Sequence, residues 1–161
     1  MRPIVLSPLT SLFALSCIAA LALGGCSPPR AAVQLSGMQV MNQNELGESA
    51  PVKLRLYPLR SDAKFRAATV DALWVGDEDL LKADLTHAPT ITSVFPGGEG
   101  RAPGQVEVEL GDGAKWLGVL ALYSKSDASD RRMLILPIDD AERLVLTCSG
   151  YSITAEKPAN R

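Results

Sequence analysis

The sequence predicts a mainly β domain, an antiparallel β-sandwich carrying a short two-helix insertion. Three observations carry that expectation. Short apolar or alternating runs recur between turn residues. One stretch, from Ser61 to Leu85, changes to helical spacing. The run Trp116 to Tyr123 is almost continuously apolar, as a central strand covered on both faces must be. No internal repeat and no second domain break the pattern.

Taken in order, Ala32 to Val40 is the first strand. Its apolar positions move from Val33 and Leu35 to Met38 and Val40 across Ser36-Gly37, a change of parity that a bulge produces. Asn42 to Pro51 is polar and rich in turn formers, and reads as a loop. Val52 to Leu59 is the second strand, with Val52, Leu54 and Leu56 on one face and Lys53, Arg55 and Tyr57 on the other. Ser61 or Asp62 then caps a helix whose apolar side holds Phe65, Ala68, Ala72 and Leu73, and which Gly76 ends. Asp77 caps a second short helix that buries Leu80, Leu81 and Leu85. Thr90 to Phe95 and Gln105 to Leu110 are strands, with a hairpin turn around Pro96 to Gly100, and Pro96 to Gly104 is placed at the end opposite the Asn42 loop. Val106, Val108 and Leu110 alternate with Gln105, Glu107 and Glu109, so one face of that strand is solvated. Trp116 to Tyr123, Arg132 to Pro137, Arg143 to Cys148 and Tyr151 to Ala155 complete the sheets.

The N-terminus has a different logic. Arg2 precedes an apolar run from Leu9 to Leu23 that is too short and too rich in small residues to cross ~30 Å of hydrocarbon, and Gly24 and Gly25 close it. This is the layout of a signal peptide over residues 1–25. Leu23-Gly24-Gly25-Cys26 is similar to the bacterial lipobox: a branched apolar residue, two small ones, and the cysteine that becomes the acylated first residue. Residues 26–31 are then lipidated cysteine and tether, and 32–161 a single domain. Ser27, where Asp would retain a lipoprotein at the inner membrane, directs it to the outer membrane.

Removal of residues 1–25 takes Arg2 from the 16 basic residues and none of the 18 acidic ones, leaving a mildly acidic domain with no basic face. Nucleic acid is not an expected partner. Cys17 leaves with the signal and Cys26 is alkylated, so Cys148 stands alone, in strand register with Leu144 and Leu146, as a small buried hydrophobe.

Chemistry finds little footing. His87 is the one histidine, and His, Cys, Asp and Glu nowhere adopt metal-ligand spacing. No serine sits in a strand-to-helix elbow. Gly97 to Gly100 lacks the Lys-Ser or Lys-Thr of a phosphate loop. Asp77, Glu78 and Asp79 suit a helix start through the helix dipole, and Trp74 and Trp116 suit packing at the core or its edge. No enzyme activity, cofactor, metal or small-molecule substrate is expected.

Pro51-Val52-Lys53-Leu54-Arg55-Leu56-Tyr57-Pro58-Leu59, then Ser61-Asp62-Ala63-Lys64-Phe65, then Asp71-Ala72-Leu73-Trp74, and finally Leu117 to Tyr123 together resemble the TssJ family, also called SciN or Lip type: the outer-membrane lipoproteins of type VI secretion systems. The resemblance runs from the lipobox to about Ser152. Pro58 stands where the family more often has Gln, and Asp130-Arg131 where an aromatic residue commonly precedes the basic one. The resemblance implies a transthyretin-like sandwich in the periplasm, fixed to outer-membrane lipid through Cys26. Its partner is the periplasmic C-terminal region of the inner-membrane component TssM, met by the loop between the first two strands. That loop is Asn42 to Ala50, with Asn44, Glu45, Leu46, Gly47 and Glu48 as contact residues. The alternative is a periplasmic carrier or inhibitor lipoprotein, which needs a concave apolar cavity where a scaffold needs a filled core and an exposed loop.

Overall fold

A computed structural model of the chain describes residues 28–97, 102–126 and 131–157. The signal peptide, Cys26, the centre of the Pro96–Gly100 turn and Asp130 lie outside the described residues. Within them the strands are β1 (Arg30–Met41), β2 (Val52–Leu59), β3 (Thr90–Val94), β4 (Gly104–Glu109), β5 (Trp116–Leu122), β6 (Met133–Pro137), β7 (Val145–Gly150) and β8 (Ser152–Glu156). Helices α1 (Ala63–Ala67) and α2 (Val70–Leu81) follow β2, and a single helical turn, α3 (Ile138–Ala141), follows β6.

The strands form two four-stranded sheets, in the orders β4-β1-β7-β8 and β3-β2-β5-β6. The sandwich expected from the sequence is present, with one exception to its antiparallel rule: β1 and β7 run parallel, Gln34 opposite Val145 and Gly37 opposite Cys148. Alternation along a strand reports which face is buried and carries no information on the direction of a neighbour, so this pairing is invisible in the sequence.

Between the sheets lie Val33, Leu35, Met41, Val108, Leu146, Cys148 and Ile153 from one side, and Val52, Leu54, Leu56, Leu117, Val119 and Ala121 from the other. Each fully buried aliphatic side chain contributes about 1.5–3 kcal/mol. A second cluster covers the outer face of the β2-β5 sheet, where Tyr57, Leu59 and Leu120 meet Phe65, Leu73 and Leu81 of the helices. This is why β5 is apolar at nearly every position: both of its faces are covered. Gly118 is the point of closest approach, and a Cβ there would meet the Phe65 ring at 2.9 Å.

The helical insertion differs from expectation. One helix was expected from Ser61 to Gly76, but the chain extends at Ala68 (φ −77°, ψ 151°). A new helix then begins with Thr69 as its cap, the Thr69 hydroxyl accepting from the Ala72 N–H at 3.2 Å. Asp62 makes no capping hydrogen bond and pairs with Arg66 instead. Gly76 (φ −151°, ψ 44°) is non-helical and breaks α2 at a kink into two helical stretches, as its place before Asp77 predicts. Asp77 is also more than a cap. One of its oxygens accepts from the Glu78 N–H at 3.0 Å, and the other accepts from Arg55 at 2.8 Å and from the Tyr57 hydroxyl at 2.7 Å. This clasp ties the helix to β2. Burial pushes the Tyr57 hydroxyl well above the usual tyrosine range, and its bond to the Asp77 carboxylate pushes the same way.

In β1 the core side stays with Val33, Leu35 and then Met41, while Val40 is exposed. The bulge spans Gly37 to Met41, where four steps along β1 match two along β7, from Cys148 to Gly150. Two extra residues restore the original parity, where one would have reversed it. β3 and β4 do not pair with each other, since they belong to different sheets. Val94 pairs with Val52, so β3 ends beside the place where the Asn42 loop enters β2 and not at the opposite end of the sandwich. Pro58 does not shorten β2. It stays in register with Leu117, and its carbonyl accepts from both the N–H and the hydroxyl of Thr86.

Candidate partner-binding loop

Residues 42–50 join β1 to β2 and are held by a dense set of local hydrogen bonds. The entry point is Asn42, which has a left-handed backbone (φ 46°) and a buried side chain. Asn tolerates that conformation better than other non-glycine residues because its short amide finds local partners. The Asn42 amide donates to the Pro51 carbonyl at 2.9 Å, and its oxygen accepts from the Ser124 N–H at 2.8 Å. Its own N–H donates to the Gly150 carbonyl at 2.7 Å. One residue therefore ties the loop to both sheets.

Asn44 organises the interior. Its side-chain oxygen accepts from the N–H groups of Leu46 and Glu48, each at 2.9 Å, and its amide nitrogen donates to the Glu48 carboxylate at 2.9 Å. The backbones of Asn44 and Glu48 also meet at 3.0 Å. Gly47 (φ 79°) makes the left-handed turn that closes this ring, and its carbonyl accepts from Gln43 Nε2 at 2.7 Å. The Gln43 carbonyl accepts from the Tyr151 hydroxyl at 2.8 Å, and Ser49 bridges back to β1 through the Gln39 carbonyl and the Met41 N–H.

The consequence is a rigid platform with Leu46 outermost. Its side chain is 83% exposed, flanked by the exposed Glu45 and Glu48. The structure thus brings all five residues expected at the contact, Asn44 to Glu48, onto one ordered turn, with Asn44 and Glu48 serving the turn's own architecture.

Sequence reasoning missed the ground beside this loop. A groove of about 480 Å³ lies between Asn42, Tyr123 and Ser124 on one side and Val70, Asp71 and Trp74 of α2 on the other. Trp74 is not in the core: it is 54% exposed, with the Arg55 guanidinium 5.6 Å from its ring centroid. The signal was available, since Trp74 is adjacent to Leu73 and only one of them can face the sheet. Trp116, by contrast, is partly buried against the second cluster, as expected.

Cys148 is buried, and burial pushes its thiol up to about 11, with the Tyr123 hydroxyl opposing. It has no nucleophilic character at neutral pH. His87 is exposed and faces Glu109 at 3.1 Å. Among the described residues no cluster of three or more His, Cys, Asp or Glu could hold a metal ion.

Residues 29–154 match the family model described as Type VI secretion lipoprotein, VasD, EvfM, TssJ. The chain belongs to that family. It is a family of structural secretion lipoproteins and not of enzymes. No curated protein matches the sequence. Among solved structures, TssJ1 from Pseudomonas aeruginosa is similar at 26% identity and a TM-score of 0.62, over 83% of this chain and 100% of that one. A chain of a type VI membrane complex aligns at 25% identity and a TM-score of 0.68, over 81% and 99%. A chain of the structure described as the TssM C-terminal domain (869–1107) from EAEC aligns at 22% identity and a TM-score of 0.66, over 80% and 98%, a likeness of fold. The lipoprotein is thus a membrane-associated component of type VI secretion with the β-sandwich of its relatives.

Proposed function

We propose that this lipoprotein is held in the outer membrane by acylated Cys26 and faces the periplasm. There it joins the envelope-spanning complex by presenting Asn44 to Glu48 to the periplasmic C-terminal region of the inner-membrane component TssM. The observation that carries the reading is Leu46, an apolar side chain 83% exposed at the apex of a loop already fixed by its own hydrogen bonds. Ordering a free loop costs about 1–2 kcal/mol per residue, and here that cost is met before a partner arrives. Burying Leu46 in a groove then contributes about 1.5–3 kcal/mol. Glu45 and Glu48 orient the approach of a basic surface.

The solved neighbours support the partner. Chains with this fold occur in structures described as a type VI membrane complex and as the TssM C-terminal domain (869–1107) from EAEC. The carrier alternative is disfavoured by the space between the sheets, which Leu, Val and Ile side chains fill.

Two experiments test the reading. Cys26→Ser leaves an unacylated protein that folds normally and moves from the membrane to the soluble fraction, and the same variant no longer supports secretion. The wild-type lipoprotein, extracted in mild detergent, brings the TssM-type protein with it. A Cys26→Ser protein that still fractionates with outer membranes contradicts the anchor, and solubilised lipoprotein free of TssM contradicts the partner.

A further inference from the structure

We infer that the end of the sandwich where β1 begins rests on the phospholipid headgroups, so that β1 acts as a spacer carrying the 42–50 loop away from the bilayer. The inference rests on the acylation of Cys26 proposed above. It comes from the short length of chain between that residue and the first fixed backbone atom.

Pro29 is already part of the fold: its carbonyl accepts from the Leu110 N–H at 2.9 Å. Arg30 pairs with Glu109 in register, and its guanidinium reaches Glu107 at 3.2 Å and Glu109 at 2.9 Å. Only Ser27 and Pro28 separate Cys26 from Pro29. At 3.8 Å per peptide link, the acylated residue lies within about 11 Å of Pro29. The headgroup layer is itself roughly 5–8 Å deep on each side of the hydrocarbon. A domain tied this closely has no room for a water-filled gap between itself and the lipid.

The surface at that end can be named from its backbone contacts. Leu110 leads into the turn at Gly111, whose α-carbon lies against Thr86, and Thr86 in turn bonds to Leu110 and Pro58. The Lys115 N–H donates to Leu59 at 2.8 Å, and the Arg60 N–H to Asp84 at 2.8 Å. Arg60, Asp112 and Lys115 are exposed here. Arg60 and Lys115 make no side-chain ion pair among the described residues, but Asp139 and Glu142 are exposed at the same end, where Ile138 bonds to Lys115 and Glu142 accepts from the Ala32 N–H, so its charge is mixed. The helical flank carries exposed Asp71, Glu78 and Asp79 together with exposed Lys64, Arg66 and Lys82, so charge does not separate the two surfaces and the tether decides the posture. An upright posture keeps the Pro29 end at the headgroups, as the tether requires.

β1 has 12 residues and rises about 3.3 Å at each, so up to roughly 35 Å separates its two ends. The 42–50 loop stands at the far end, where a partner reaching across the periplasm meets it first.

The test uses the acylated full-length protein in vesicles of phosphatidylethanolamine and phosphatidylglycerol. A fluorophore is attached to Asp112→Cys, Val75→Cys or Leu46→Cys in turn, and a nitroxide on the lipid headgroup is the quencher. Flotation with the vesicles is checked first. Asp112→Cys is expected to be quenched about threefold or more over Leu46→Cys, with Val75→Cys between them. An insertion of about twenty Gly and Ser residues between Pro28 and Pro29 is expected to lower the Asp112→Cys signal. Floating protein with equal quenching at all three positions, or with Val75→Cys or Leu46→Cys quenched most, overturns the posture and leaves the anchor standing. Protein that does not float overturns the anchor and the posture with it.

Discussion

The side-chain oxygen of Asn42 accepts the backbone N–H of Ser124 at 2.8 Å, a bond across 82 positions of sequence that fixes the start of the 42–50 loop to the end of β5. The same side chain bonds Pro51, and its backbone is left-handed. Asn42→Ala loses two hydrogen bonds and places a Cβ-bearing residue without local partners at positive φ. The expected cost is about 2–4 kcal/mol, read from urea denaturation. Asn42→Gly recovers the backbone part, about 1 kcal/mol, and leaves the rest. Equal stability of the two variants would show that the left-handed conformation contributes nothing.

Gly118 and Phe65 define how closely the helices seat on the sheet. Gly118→Ala brings a methyl to 2.9 Å from the ring, and such overpacking costs about 1–3 kcal/mol. Phe65→Leu alone is destabilising because it thins the second cluster. Together the two changes cost less than the sum of their separate effects, by about 1 kcal/mol, since Leu makes room for the new methyl. Strict additivity in the double-mutant cycle contradicts the contact.

Cys148 gives a pH signature. Its thiol is raised in the folded state to about 11 from a usual value of 9.0, chiefly by burial. A raised folded-state value means that the unfolded chain loses its proton first. The thiol's contribution is fully present below pH 9 and is lost between pH 9 and 11, by about 2–3 kcal/mol. Cys148→Ala costs about 1 kcal/mol at neutral pH and has a flatter profile across that window. Tyr57, raised by burial and by Asp77, brings a further loss at higher pH that the variant retains. In native protein a thiol reagent labels Cys148 slowly, and fast labelling contradicts its burial.

What the sequence made legible follows the range of the interactions. β2 was readable to its last residue, because Val52, Leu54 and Leu56 alternate over a whole strand and Pro51 marks its start. β5 was readable because both of its faces are covered, which leaves an unbroken apolar run. The limits of the loop were readable from its Asn, Gly and Ser content. The break at Ala68 was missed because Phe65, Ala68 and Ala72 keep helical spacing through it, although Thr69 and Asp71 mark a fresh helix start. The Asp77 clasp to Arg55 and Tyr57, the parallel β1–β7 pairing and the anchoring of Asn42 to Ser124 join distant positions, and nothing in local periodicity reports them. The exposure of Leu46 was legible as an apolar residue in a polar stretch. The ring of bonds through Asn44 that makes its position rigid was not.

The central claim is that this rigid loop is the contact with TssM, and calorimetry of Leu46→Asp against the purified periplasmic region of the TssM-type protein tests it most directly. Leu46 touches nothing in the core, so the variant keeps the wild-type thermal melt to within about 1–2 °C. The account predicts that binding falls at least a hundredfold, through the lost burial of Leu46 and the introduced charge. A variant that shortens the segment between Gln43 and Ser49 also loses binding. Unaltered affinity in Leu46→Asp, with the melt preserved, would contradict the claim and move the contact to the groove between Trp74 and Tyr123.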